Sequence, residues 1–198
     1  FADGQRLVQK VAATDFGLVF KALVSDDVDF VLGNYCVFGD MQMDSDLFMS
    51  EGLVEDVLQT YVEGKWYVMA WNKLCKRSFL LENNLWFKEG YIHEDQIWSF
   101  MVACTAKSMY VVPDITYEYR VRASSIMTGM GIRKDAMTYV RVYDALRDYI
   151  MANSLQTNGL AYRLFEGKRS GILYSLLEKN ESEVYKDTYS AFHGQAYM

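Results

Sequence analysis

Apolar residues Ile97, Phe100, Met101 and Cys104 recur at i, i+3, i+4 and i+7, the spacing of one helix face. Glu94 and Asp95 precede them, so the pattern predicts an amphipathic helix with two adjacent acids in its first turn. A helical stripe also runs through Leu7, Val8, Val11, Val19 and Leu23. Residues 28–35 form a short apolar run of strand length, as expected for a buried strand of an α/β sheet. Leu53, Val54, Val57, Leu58 and Tyr61 predict another helix face, with Ser50 as candidate N-cap and Glu51 beside it. Residues 109–112 read as a strand, Pro113-Asp114 as a turn, and residues 115–122 as an alternating strand. In that strand Ile115, Tyr117, Tyr119 and Val121 point one way, and Thr116, Glu118, Arg120 and Arg122 the other.

From Ile132 onward the period is helical throughout. One stripe joins Tyr139, Val142, Tyr143, Leu146, Tyr149 and Ile150, and breaks fall near Asn153-Ser154 and Asn158-Gly159. Further helices are predicted over 160–177 and 181–192. The expected organisation is therefore an α/β part over 1–132 followed by a helical C-terminal extension over 133–198.

Composition narrows the chemistry. A net charge of -6 with a pI near 5.0 argues against nucleic acid as a partner, which would call for a basic face. Cys36, Cys75 and Cys104 are odd in number, widely spaced and without a C-x-x-C, which fits a reducing, cytoplasmic setting better than a disulfide framework or zinc site. No apolar run reaches the ~20 residues of a membrane span. Interspersed acids make the basic residues of the helical part an ordinary solvated face, with peripheral membrane contact as the alternative. Fifteen tyrosines and four tryptophans supply rings on which sugars can stack, although core packing is the ordinary use of Trp66, Trp86 and Trp98.

Acids in a first helical turn commonly do no more than complement the helix dipole. A fixed carboxylate there can also serve as a general base, and a solvated position would keep it ionised at neutral pH.

Three ordered motifs favour the second reading. They are W-x-K-L-x-x-R-x-F-L from Trp71, F-x-E-G-x-x-x-E-D from Phe87 to Asp95, and Tyr117-x-Tyr119-Arg120-x-Arg122-x-x-Ser125-Ile126. Together they resemble the acceptor half of family-2 inverting glycosyltransferases, above all bacterial ones that build surface polysaccharides. The resemblance runs from about Asp29 to Ile126. It implies an incomplete GT-A sheet, Rossmann-like as in nucleotide-diphospho-sugar transferases, and a general base at Asp95 with Glu94 as companion. It places Trp71, Lys73 and His93 at the substrate site. It also implies a nucleotide-sugar donor and a glycan or lipid-linked acceptor. Arg120, Arg122 and Ser125 become candidates to hold the leaving diphosphate, a task that suits the planar guanidinium fork.

The chain departs from the family pattern in two respects. An opening V-S-I-I-x-P-x-Y-N strand is not found at Phe1-Ala2-Asp3-Gly4, and the acidic D-x-D motif that holds Mn or Mg is not in its expected place. Asp44-Ser45-Asp46 has the form but follows the strand over 28–35, and Asp26-Asp27-x-Asp29 is a second acid-rich stretch; both read as solvated loops. The expectation is a fragment without most of the donor half, inactive alone, whose complete enzyme takes a divalent cation through ligands outside this chain. The competing class is a non-catalytic glycan- or protein-binding module.

Overall fold

A computed structural model of the chain describes residues 28–39, 49–121 and 131–193. The helix expected over 7–23, Asp44-Ser45-Asp46, Arg122 and Ser125 lie outside the described residues.

Four strands form one mixed sheet in the order β2-β4-β1-β3. At its centre β1 (Phe30–Gly39) runs parallel to β4 (Met109–Val121), from Phe30 opposite Met109 to Gly39 opposite Val121. The edges β2 (Gly52–Val54) and β3 (Lys73–Cys75) are short and antiparallel. A parallel central pair needs cover, and the first residues of β1 are buried on both faces. Phe30, Leu32, Met109 and Val111 enter the main core, and Val28, Val31 and Val112 form a small cluster on the other face.

The covering helices are α1 (Val57–Val62), α2 (Arg77–Glu82) and α3 (Glu94–Thr105). Helix α3 begins at Glu94, as the acid-then-apolar pattern predicts. It is apolar over more than one face, because Trp98, Ser99, Val102 and Ala103 are buried along with Ile97 and Phe100. The reason is its position between α1 and α4 (Ile132–Ala152).

The three C-terminal helices agree closely with the pattern. Helix α4 packs with α5 (Gly159–Glu178) and α6 (Ser182–His193). The Asn158 side chain caps α5, accepting from Leu160 N at 3.0 Å and Ala161 N at 3.2 Å. Val142, Leu146, Phe165 and Phe192 share one continuous core with Phe30 and Phe100, so α4, α5 and α6 pack on the α/β part.

Three sequence expectations are corrected. Leu53 and Val54 begin no helix: Gly52, at φ +140°, opens edge strand β2, and the helix starts at Val57. Pro113-Asp114 is no turn, because β4 continues through it. Residues 113 and 114 are extra in the register, between Val112 opposite Gly33 and Ile115 opposite Asn34, and a proline tolerates a bulge that asks for no ladder N–H. Asp29 is not a free loop acid; its Oδ2 accepts from Lys107 N at 2.6 Å and Ser108 N at 3.4 Å.

Candidate active site

Segment 66–73 joins the helical layer to the sheet and carries two of the sequence candidates. Trp66 is buried in the core against Phe30 and Tyr61. Val68 O accepts from Ser99 Oγ on α3, and Asn72 Nδ2 donates to Gly33 O of β1 at 3.1 Å. The Lys73 ammonium closes the segment on itself, donating to Tyr67 O at 2.8 Å, to Met69 O and to Asn72 Oδ1 at 3.1 Å. Three acceptors match the three donors of an ammonium. Burial pulls the Lys73 pKa down to about 7, while Cys75 and Asp95 act in the opposite sense. Lys73 is thus a brace for this segment with Asp95 in its electrostatic reach.

Trp71 sits in an aromatic wall at the end of the sheet. Its ring stacks on Tyr117 at 4.2 Å and on Tyr119 at 5.4 Å, and meets Tyr35 edge-on at 4.9 Å. Register puts Tyr35 opposite Tyr117, so strand pairing assembles the wall. Arg120 falls on the alternate face of β4 and is exposed.

The acid pair occupies the first turn of α3. His93, the residue before the helix, takes the left-handed conformation (φ 64°, ψ 34°), uncommon for a side chain with a Cβ. Its buried ring stacks on Tyr139 at 4.3 Å, and its Nε2 lies 3.2 Å from Asp135 Oδ1, both partners being on α4. The entry to α3 is therefore fixed from the C-terminal helices. Arg141 adds to this by lying over the Tyr91 ring at 4.8 Å, with its Nη2 donating to Gly90 O at 3.3 Å.

Asp95 is half-buried rather than fully solvated, which corrects the expectation of an open first-turn acid. Burial, and next the neighbouring Glu94, hold its pKa above the ordinary carboxylate value; the Gln96 backbone N–H, His93 and Lys73 act in the lowering direction. The result is a carboxylate more basic than usual at a fixed position.

Several residues around it were invisible to the pattern. Lys168 of α5 and Tyr61 of α1 both interact electrostatically with Asp95. Asn72 and Gly33 position segment 66–73; a glycine inside a strand is a bulge signal that points to this junction. Lys168 had no local signal, because a cation in the middle of a helix reads as surface. Trp98 is core as expected, whereas Trp86 is exposed. Among the described residues Cys36, Cys75 and Cys104 form no disulfide.

No family model matches the chain. It is 28% identical over 176 residues to "Putative glycosyltransferase EpsH" of Bacillus subtilis (strain 168), across 73% of this chain and 51% of the relative. The chain thus spans about half the length of the curated relative it matches. Among solved structures it is similar to S. aureus TarS 1-349 in complex with UDP-GlcNAc, with a TM-score of 0.51 at 13% identity over 92% of this chain and 65% of that one. The mixed α/β fold is similar to that of TarS.

Proposed function

We propose that this chain supplies the acceptor side and the catalytic base of an inverting, family-2-like glycosyltransferase of the hexosyltransferase class. In this reading it moves a sugar from a nucleotide-sugar donor to a glycan or lipid-linked acceptor in bacterial surface polysaccharide assembly. The observation that carries the proposal is Asp95: half-buried, raised in basicity, and fixed at a helix start that His93, Asp135 and Tyr139 brace.

Asp95 takes the proton of the acceptor hydroxyl while the acceptor oxygen bonds to the anomeric carbon. The bond from that carbon to the phosphate oxygen breaks, and the nucleoside diphosphate leaves with the electron pair. Attack from the face opposite the leaving group inverts the centre in one displacement. Glu94 keeps Asp95 basic by like charge, Lys73 holds segment 66–73 in place, and the aromatic wall at Trp71 lies along the acceptor path. Arg120, with Arg122 and Ser125, is assigned to the leaving diphosphate. A divalent cation, Mn or Mg, is expected with the donor. Among the described residues no group of three or more His, Cys, Asp or Glu is arranged to hold one, so no step here is routed through it. Among the described residues no helix is long and apolar enough to cross a membrane.

The test is a screen of UDP-sugars, UDP-GlcNAc of the TarS complex among them, with Mn or Mg and acceptor glycans, on this chain joined to the donor half and repeated on Asp95→Asn in the same protein. Amide replacement keeps size and removes the base, so turnover should fall roughly 10²- to 10⁴-fold. Undiminished turnover removes Asp95 from the mechanism.

A further inference from the structure

A cleft of about 490 Å³ lies between α1 and α5, lined by Val62, Glu63, Arg163, Leu164, Gly167 and Lys168. Val62 and Leu164 give it apolar surface, and Arg163 and Lys168 give it two cations. The one acid on the wall is already engaged, since Glu63 Oε2 pairs with Lys65 Nζ at 2.7 Å and Gln59 Nε2 donates to its Oε1. Neither Arg163 nor Lys168 has a hydrogen-bond or ion-pair partner among the described residues.

Lys168 links this cleft to the candidate base. Its ammonium lies over the Tyr61 ring, 5.9 Å from the centroid, and the Asp95 charge favours its protonated form. A largely desolvated cation that lines the cleft, with no hydrogen-bonded or ion-paired anion among the described residues, suits a negative ligand. Gly167 leaves the wall open, since a Cβ there would meet nothing within 4 Å and a larger side chain would extend into the cleft without displacing protein.

We propose that the cleft binds a phosphate ester joined to an apolar group, with Lys168 and Arg163 meeting the phosphate and Val62 and Leu164 the apolar part. Naming that ligand the acceptor rests on the reading of Asp95 as base; the chemistry of the cleft does not.

Calorimetric titration of the whole chain with hexyl phosphate, hexyl glucoside and inorganic phosphate separates the terms. Hexyl phosphate should bind, hexyl glucoside should not, and inorganic phosphate should bind at least ten-fold more weakly than hexyl phosphate. Lys168→Gln should weaken hexyl phosphate at least ten-fold. Gly167→Leu, which fills the cleft, should do the same while leaving the thermal midpoint unchanged or higher, and it serves as the test if the lysine variant folds poorly. Absent binding, or binding that both folded variants leave intact, overturns the site. Equal affinity for inorganic phosphate overturns the apolar half. Asp95→Asn should keep hexyl phosphate affinity within a few-fold. If that variant also retains turnover, the base assignment falls and the cleft stands.

Discussion

Trp71 belongs to segment 66–73 and Asp95 lies within electrostatic reach of its Lys73, yet the two are held by different physics. Asp95 is placed by a helix start: a local sequence pattern fixes which residue begins α3, and α4 then locks the preceding His93 through Asp135 and Tyr139. Trp71 is placed by strand register: its stacking partners Tyr117 and Tyr119 lie some 46 residues away in sequence and reach it only because β4 pairs with β1. The difference separates a position that strains the protein from one that supports it. Half-burying a carboxylate costs stability, whereas stacking three rings contributes to it.

Asp95→Asn tests that contrast most severely, because it should move activity and stability in opposite directions. Turnover should fall roughly 10²- to 10⁴-fold. Since the folded pKa of Asp95 lies above its unfolded value, folding favours the protonated acid; that contribution is complete below the ordinary carboxylate pKa and is lost as pH rises through the folded one. The amide removes the penalty, so the variant's thermal midpoint should exceed that of the parent at pH 7, and the gain should vanish at pH 3. For the same reason turnover of the parent should decline on the acid side at a pH above the usual carboxylate range. A midpoint gain that persists unchanged at pH 3 would show that the ionised carboxylate is not what is being relieved.

Lys73→Met asks what joins the two. The methionine keeps the apolar stem and leaves Tyr67 O, Met69 O and Asn72 Oδ1 without their donor, at a cost of about 3 kcal/mol in chemical unfolding. Intrinsic tryptophan fluorescence should change in the folded state as Trp66 and Trp71 loosen. An unchanged midpoint would mean that the three carbonyls find water without loss.

Gly33→Ala attacks the register that builds the aromatic wall. A Cβ there would sit 2.1 Å from Thr116 Oγ1, and Thr116, unpaired at a second register shift between Ile115 and Tyr117, donates its hydroxyl to Asn34 O at 3.1 Å. Overpacking of this kind costs about 2 kcal/mol. Adding Thr116→Gly should recover part of it, and a double variant no better than the sum of the two singles would exclude the clash.

The same division explains what the sequence could reveal. Helices α3, α4, α5 and α6 were legible because their signals are local: the i, i+3, i+4 stripe and the Asn158 cap sit inside the elements they define. Leu53-Val54 fits either a helix face or an edge strand, and pairing with β4 decided it. Pro113 reads as a turn from its neighbours alone; only Gly33 and Thr116, on two strands, make it part of a bulge. Of the site, Asp95, Glu94, His93, Trp71 and Lys73 came from ordered motifs. Asp135, Tyr139 and Lys168 reach it through the packing of the C-terminal helices, which carries no motif.

Trp71→Leu should have the smallest effect on stability and the most specific one on binding. Leucine retains apolar cover over Tyr35 but gives up the stacked geometry with Tyr117 and Tyr119, a loss of about 1 kcal/mol in folding. Because Lys73 and Asn72 hold segment 66–73 independently of that ring, Asp95 should keep its position and its acid-side pH profile. Turnover of a saturating acceptor should then change little, while the acceptor KM rises several-fold if the wall receives the sugar. A matched fall in kcat with unchanged KM would instead tie the aromatic wall to the geometry of the base, and the two would have to be treated as one unit.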